Sequence, residues 1–110
     1  MIYEYRIYEA PSRFAVPTVA KVVEVNMPIF ARHGMRIIGV WTTTTISENS
    51  NRVIYMVEFR DLAHREQAWG SYFADPDVAE VTAKVVGDRT DWLRNVSNYI
   101  LDPTHFSPLI

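Results

Sequence analysis

Alternation opens the chain. In residues 2–9 (IYEYRIYE), Ile2, Glu4, Arg6 and Tyr8 fall on one face of an extended segment, with Tyr3, Tyr5, Ile7 and Glu9 on the other. Aromatic and branched side chains make this a strand. From 14 to 30 the period lengthens: Val16, Val19, Val23, Met27 and Phe30 recur at spacings of three and four, which predicts a helix with one apolar stripe. Pro28 has no amide hydrogen and its ring crowds the carbonyl four residues earlier, so a kink or restart is expected near Asn26. Gly34, following Arg32 and His33, predicts a left-handed stop. Residues 35–45 (MRIIGVWTTTT) and 51–60 (NRVIYMVEFR) read as two strands of a hairpin, joined by the polar turn Ser47, Glu48, Asn49 and Ser50. Asp61 is placed to cap a helix over 62–74 with Leu62, Trp69 and Phe73 inward. Asp75 and Pro76 then open a shorter helix with Val78, Val81 and Val85 inward, ending at Gly87. Residues 92–101 supply a fourth strand, and Pro103 and Pro108 keep the tail irregular.

The order strand, helix, strand, strand, helix, strand predicts an α+β, ferredoxin-like βαββαβ fold: a four-stranded antiparallel sheet with its helices on one face. The hairpin is apolar on both sides. Met35, Ile37, Gly39 and Trp41 share one face of its first strand, opposite Ile38 and Val40. In the second, Val53, Tyr55, Val57 and Phe59 oppose Ile54 and Met56. Helices cover only one face, so a second copy of the chain is the expected cover for the other, giving a homodimeric α+β barrel.

Composition narrows the function. A chain of 110 residues, 48% hydrophobic and 13% aromatic, suffices for one domain spanning residues 1–110. Eleven Lys plus Arg against 13 Asp plus Glu, a net charge of -2, offer no excess to attract nucleic acid or anionic lipid. The absence of cysteine removes disulfides, thiol catalysis and thiolate metal sites. Residues 37–47, the longest strongly uncharged stretch, fall short of the roughly 18 to 20 apolar residues of a membrane span. The sequence passes from Met1 directly into a strand pattern without a leader, so a cytoplasmic location is the expectation.

The candidate chemistry lies on the first strand. Glu4, Arg6 and Tyr8 alternate onto one face and are expected to line the barrel interior, opposite a helix-covered face carrying Tyr3, Tyr5 and Ile7. Arg6 packed against helices would strand its five donors, whereas a wet or ligand-filled cavity satisfies them. The structural reading of the same residues is a Glu4–Arg6 ion pair. An arginine held by a glutamate is also an anchor for a carboxylate or enolate. Trp41, Tyr55 and Phe59 are candidate walls for a hydrophobic ligand, or core residues. His33, His64 and His105 share no metal-ligand spacing, so no metal is expected. His33 suits a helix C-terminus or, alternatively, an acid–base role at a barrel mouth; His64 reads as solvent-facing. His105 is a candidate proton carrier if the tail folds back over a barrel end. No phosphate loop, GxSxG elbow or nucleophile–base pair is visible.

The opening MIYEYRIY, PIFARHG leading into IIGVWTT, NRVIYMVEF, REQAW before DPDV, and NYILDPTHFSPL together resemble the NIPSNAP family. The resemblance covers nearly the whole chain, with a departure at 14–25, where valines and Pro17 replace a more polar helix. It implies a dimeric ferredoxin-like barrel. NIPSNAP-like proteins are linked loosely to vesicle transport and mitochondrial roles, and similar bacterial folds include monooxygenases, isomerases and cyclases, an analogy of fold only. Two functions are therefore expected in competition. One is a homodimer binding a hydrophobic carbonyl or aromatic metabolite, and isomerising, cyclising or oxidising it without metal or cofactor. In it Glu4, Arg6 and His105 are catalytic and Tyr8, Trp41, Tyr55 and Phe59 contact substrate. The other is a noncatalytic interaction protein with a packed barrel.

Overall fold

Pairing obeys the alternation. In the computed structural model, which describes residues 1–44 and 49–108, strands β1 (Ile2–Glu9), β2 (Arg36–Thr42), β3 (Arg52–Phe59) and β4 (Asn95–Leu101) form an antiparallel sheet in the order β2-β3-β1-β4. Helices α1 (Val16–Arg32), α2 (Leu62–Ala74) and α3 (Asp77–Val86) complete the βαββαβ order, with α2 and α3 dividing the second helical region. Thr45, Ser47 and Glu48, expected at the hairpin tip, lie outside the described residues.

The core is one-sided. Val53, Tyr55, Val57 and Phe59 of β3 are fully buried and meet Val19, Val23, Ile29 and Phe30 of α1, while the alternate residues Ile54 and Met56 are only partly covered. Opposed residues in an antiparallel pair share a face. The register therefore puts Glu4, Arg6 and Tyr8 on the helix side with Val57, Tyr55 and Val53, and leaves Tyr5 and Ile7 with Met56 and Ile54 on the open side.

Helix α1 runs unbroken through Pro28, contrary to the expected restart near Asn26. Pro28 and Glu24, the residue four before it, both lie on the exposed side of α1, so the carbonyl deprived of its ladder bond is one that water can reach. Asn26 sits buried in the same stretch, its amide donating to the Val22 carbonyl at 2.8 Å. The stop at Gly34 occurs as expected. At φ 78° it lets the Gly34 amide donate to the Ala31 carbonyl and the Met35 amide to the Phe30 carbonyl, a Schellman closure. By length and apolarity residues 13–32 would pass for a membrane span. Here the Val19, Val23, Ile29 and Phe30 side of α1 is committed to the core.

Expectations about facing also fail in β2 and α2. The β2–β3 register shifts between Ile37 and Gly39, and this bulge reverses the phase of the rest of β2: Val40 pairs with Tyr55, and Trp41 with Ile54. Trp41 therefore lies on the open face, 49% exposed, with its ring over Gly39, where a Cβ would come within 2.7 Å of it. In α2, Leu62 and Phe73 are exposed at 57% and 69%, and the buried stripe is Ala68, Trp69 and Tyr72. Hydrogen bonds from Trp69 to Glu4 and from Tyr72 to Asn26 set that rotation.

Candidate functional site

Four donor side chains converge on one carboxylate. Glu4 is completely buried on the helix side of β1. Its Oε1 accepts from Arg65 Nε at 2.9 Å and Trp69 Nε1 at 2.8 Å, and its Oε2 from Arg6 Nη1 and Asn98 Nδ2, each at 2.8 Å. A longer bond from Arg65 Nη2 to Oε2 spans 3.3 Å. Burial by itself would raise the carboxyl pKa, but the bonds from Arg65, Trp69, Arg6 and Asn98 outweigh it and hold Glu4 at about 2. Glu4 is a fixed charge. Its expected role in moving a proton does not fit a carboxylate whose oxygens are both occupied by donors.

Arg6 sits between Glu4 and two tyrosines. Its Nε donates to Tyr55 Oη at 2.9 Å, and its guanidinium lies 4.4 Å from the Trp69 ring centroid. Burial works against its charge, and the Tyr55 and Tyr8 oxygens with the Glu4 carboxylate overcome that, so it is more firmly protonated than usual. The Tyr55 and Tyr8 hydroxyls are 2.9 Å apart. Tyr55 is fully buried and its oxygen accepts from Arg6; either hydroxyl of the Tyr8–Tyr55 pair can donate to the other, and whichever does, the second proton of the pair is left without a partner among the described residues. Burial, first of all, raises the Tyr55 pKa well above its ordinary value, so the Tyr55 hydroxyl keeps its proton near neutrality.

The expectation that Glu4, Arg6 and Tyr8 face away from the helices is thus corrected. Glu4, Tyr55 and the Trp69 ring satisfy much of Arg6 on the helix side, which removes the cost that pointed the other way. The predicted strand face is nonetheless next to a cavity. Arg6 and Tyr8 line a cleft of about 780 Å³ between sheet and helices, walled by Val22 and Val23 of α1 and Val78 and Val86 of α3. Trp92 and Leu93, expected within the last strand, instead precede β4 and border this cleft with Val96.

The other sequence candidates scatter. Tyr55 joins the cluster, but Phe59 is a core residue whose ring stands edge-on to His64 at 5.4 Å. Trp41 is on the opposite face of the sheet. His105 is in an exposed turn of the tail with its ring against Phe106, and residues 101–103 and 107 of that tail border Tyr3 and Met56 on the open side. It does not reach the cleft. His33 bonds through Nε2 to Asp75 Oδ2 at 2.7 Å, and this bond is the main cause of the lowered Asp75 pKa. His64, read as solvent-facing, ties two turns together: Nδ1 accepts from the Arg60 amide, so Nε2 carries the proton and donates to the Gly34 carbonyl at 3.0 Å. Among the described residues no group of three or more His, Asp or Glu side chains is placed to hold a metal ion.

Trp69, Arg65 and Asn98 escaped the sequence reading as partners of Glu4. Arg65, Ala68, Trp69 and Tyr72 match the i, i+3, i+4, i+7 spacing of a single helix face, a signal present in the chain itself. Asn98 becomes a partner only through the β1–β4 register, which sets it opposite Arg6.

A four-stranded antiparallel sheet with three helices on one side, and a cleft between the layers, defines a ferredoxin-like α+β protein. Within that class the chain belongs to the NIPSNAP family, matching its sequence model over residues 3–108. A NIPSNAP family protein of Agrobacterium tumefaciens is 28% identical, covering 100% of this chain and 94% of its own, with a TM-score of 0.81. A NIPSNAP-like domain protein of Burkholderia xenovorans is 29% identical over 97% of this chain and 88% of its own, TM-score 0.76. A candidate antibiotic biosynthesis monooxygenase of Nitrosomonas europaea shares the fold alone, at 10% identity over 94% of this chain and 98% of its own, TM-score 0.59. No curated protein matches the chain.

Proposed function

We propose that this protein is a homodimer that binds a hydrophobic small molecule in the cleft between sheet and helices. Arg6 and Tyr8 would hold an oxygen of the ligand there. The cleft carries the reading: at about 780 Å³ it lies in the size range of small-molecule sites and combines apolar walls with two polar side chains at its floor. A packed interior, the premise of a purely structural role, would leave no such space. Chemistry in this cleft would be chemistry in which a carbonyl or phenol oxygen gains negative charge, as in isomerisation or cyclisation, with Arg6 and Tyr8 stabilising it. Binding without turnover is the second reading, favoured by one observation: Glu4 and Asp75 are both tied to partners, so neither stands ready as a base.

The homodimer rests on the open face, where Trp41 and Tyr99 are exposed and Tyr5, Ile7, Ile54 and Met56 only partly covered. Native mass spectrometry of purified protein, before and after incubation with pooled metabolites, tests both parts. The expected result is a species of twice the chain mass carrying a small-molecule adduct that disappears when Ala83→Trp fills the cleft. A bare monomer, or an adduct indifferent to Ala83→Trp, would count against the reading.

A further inference from the structure

We infer that the cleft selects a monocarboxylate with an aliphatic chain, its carboxylate on Arg6 and Tyr8 and its chain along the groove between α1 and α3. The inference rests on the cleft being a ligand site, and adds the class of ligand.

Charge is the first argument. Two guanidinium groups, Arg6 and Arg65, share the single carboxylate of Glu4, and Arg65 alone has a further carboxylate, the exposed Glu66. Arg6 is 13% exposed, and of its three nitrogens Nη2 makes no hydrogen bond among the described residues. A largely covered cation with an open Nη2 beside a hydroxyl pair holding one unclaimed proton is complementary to one anionic oxygen pair. Arg89, also lining the cleft, does not compete for this role, because it is exposed and water serves its charge. Asp75, at another part of the lining, is ion-paired with Arg32 at 3.3 Å and hydrogen-bonded to His33, so its carboxylate is already occupied.

The walls are the second argument. Val22, Val23, Val78, Ala79, Ala83 and Val86 offer short aliphatic side chains along the groove. Most aromatic faces nearby are taken: Phe30 and Tyr72 stack at 5.0 Å, and Trp69 stacks with Phe73 at 5.5 Å, which leaves Trp92 at the cleft border as the lining ring with no aromatic neighbour among the described residues. A slender alkyl chain fits this groove better than a flat ring system, which gains most from open aromatic faces.

Calorimetric titration of the full chain with decanoate, decanol and 2-naphthoate tests this. Decanoate should bind one per chain, at least tenfold tighter than decanol or 2-naphthoate. Arg6→Met should weaken decanoate at least tenfold and leave decanol unchanged, and Tyr8→Phe should weaken decanoate about fivefold, a second check should Arg6→Met not fold. Decanol or 2-naphthoate binding as tightly as decanoate, with Ala83→Trp blocking it, would overturn the ligand class while the cleft reading stands. Decanoate binding unaffected by both Arg6→Met and Tyr8→Phe, or absent altogether, would overturn the inference. Loss of every adduct in the metabolite incubation would remove the cleft reading as well.

Discussion

On one side of β1 the carboxylate of Glu4 is fully buried among four donor side chains; one residue along, on the other side, Tyr5 is half-covered, with the Tyr99 ring 6.3 Å away. Polarity thus runs opposite to a simple inside–outside rule, because the covered face carries the ionic cluster and the open face the exposed tryptophan and tyrosine. The covered face can bury charge since α2 and β4 bring Arg65, Trp69 and Asn98 to the same carboxylate. Among the described residues, the open face meets part of the tail and no helix. The difference separates a face whose interactions are complete, apart from its cleft, from one left largely uncovered by the described residues of its own chain.

Breaking the covered face should have the largest effect. Glu4→Gln leaves Arg6 and Arg65 without their shared counter-charge and is expected to destabilise the fold by about 3–5 kcal/mol, measured by urea unfolding. The same carboxylate predicts acid sensitivity. Its folded pKa, about 2, lies below the unfolded value of 4.5, so its contribution is complete above pH 4.5 and is lost as pH falls toward 2. That loss is on the order of 3 kcal/mol. Unfolding midpoints taken from pH 6 to pH 2.5 should fall accordingly in the natural protein, and this component of the fall should vanish in Glu4→Gln.

The open face should respond in association, not in folding. Met56→Glu puts a charge at its centre and is expected to weaken dimerisation by roughly 100-fold, about 2.7 kcal/mol, while the monomer stays folded. Light scattering would show the mass dropping from twice the 12.7 kDa chain toward one. Loss of folding together with mass would mean the two faces are not separable. Tyr8→Phe, on the covered side, removes one cleft hydroxyl and should cost about 1–2 kcal/mol of stability, since the buried Tyr55 hydroxyl loses one partner but keeps its bond to Arg6. Gly39→Ala is the mildest probe. The new methyl must displace the Trp41 ring, so tryptophan emission should shift with a stability change within about 0.5 kcal/mol.

Much of the fold is legible in the residues themselves. Period two in 2–9 and period three to four in 14–30 mark β1 and α1, Gly34 marks the end of that helix, and Asp61 caps the next, accepting from the His64 amide as its spacing suggests. The grouping of Glu4, Arg6 and Tyr8 comes from alternation alone. These are local properties, fixed by backbone geometry over a few residues.

Tertiary structure decided which of the two β1 faces meets the helices, because alternation defines two faces without saying which is covered. That choice depends on partners as distant as Trp69 and Asn98, 65 and 94 residues away from Glu4. It also decided the bulge that turns Trp41 to the open side and the rotation of α2 that exposes Phe73. A single-residue shift in register reverses every later side chain in a strand, and a helix turns to satisfy its buried hydrogen bonds before its most hydrophobic residues. Both effects arise only when segments far apart in the chain come into contact.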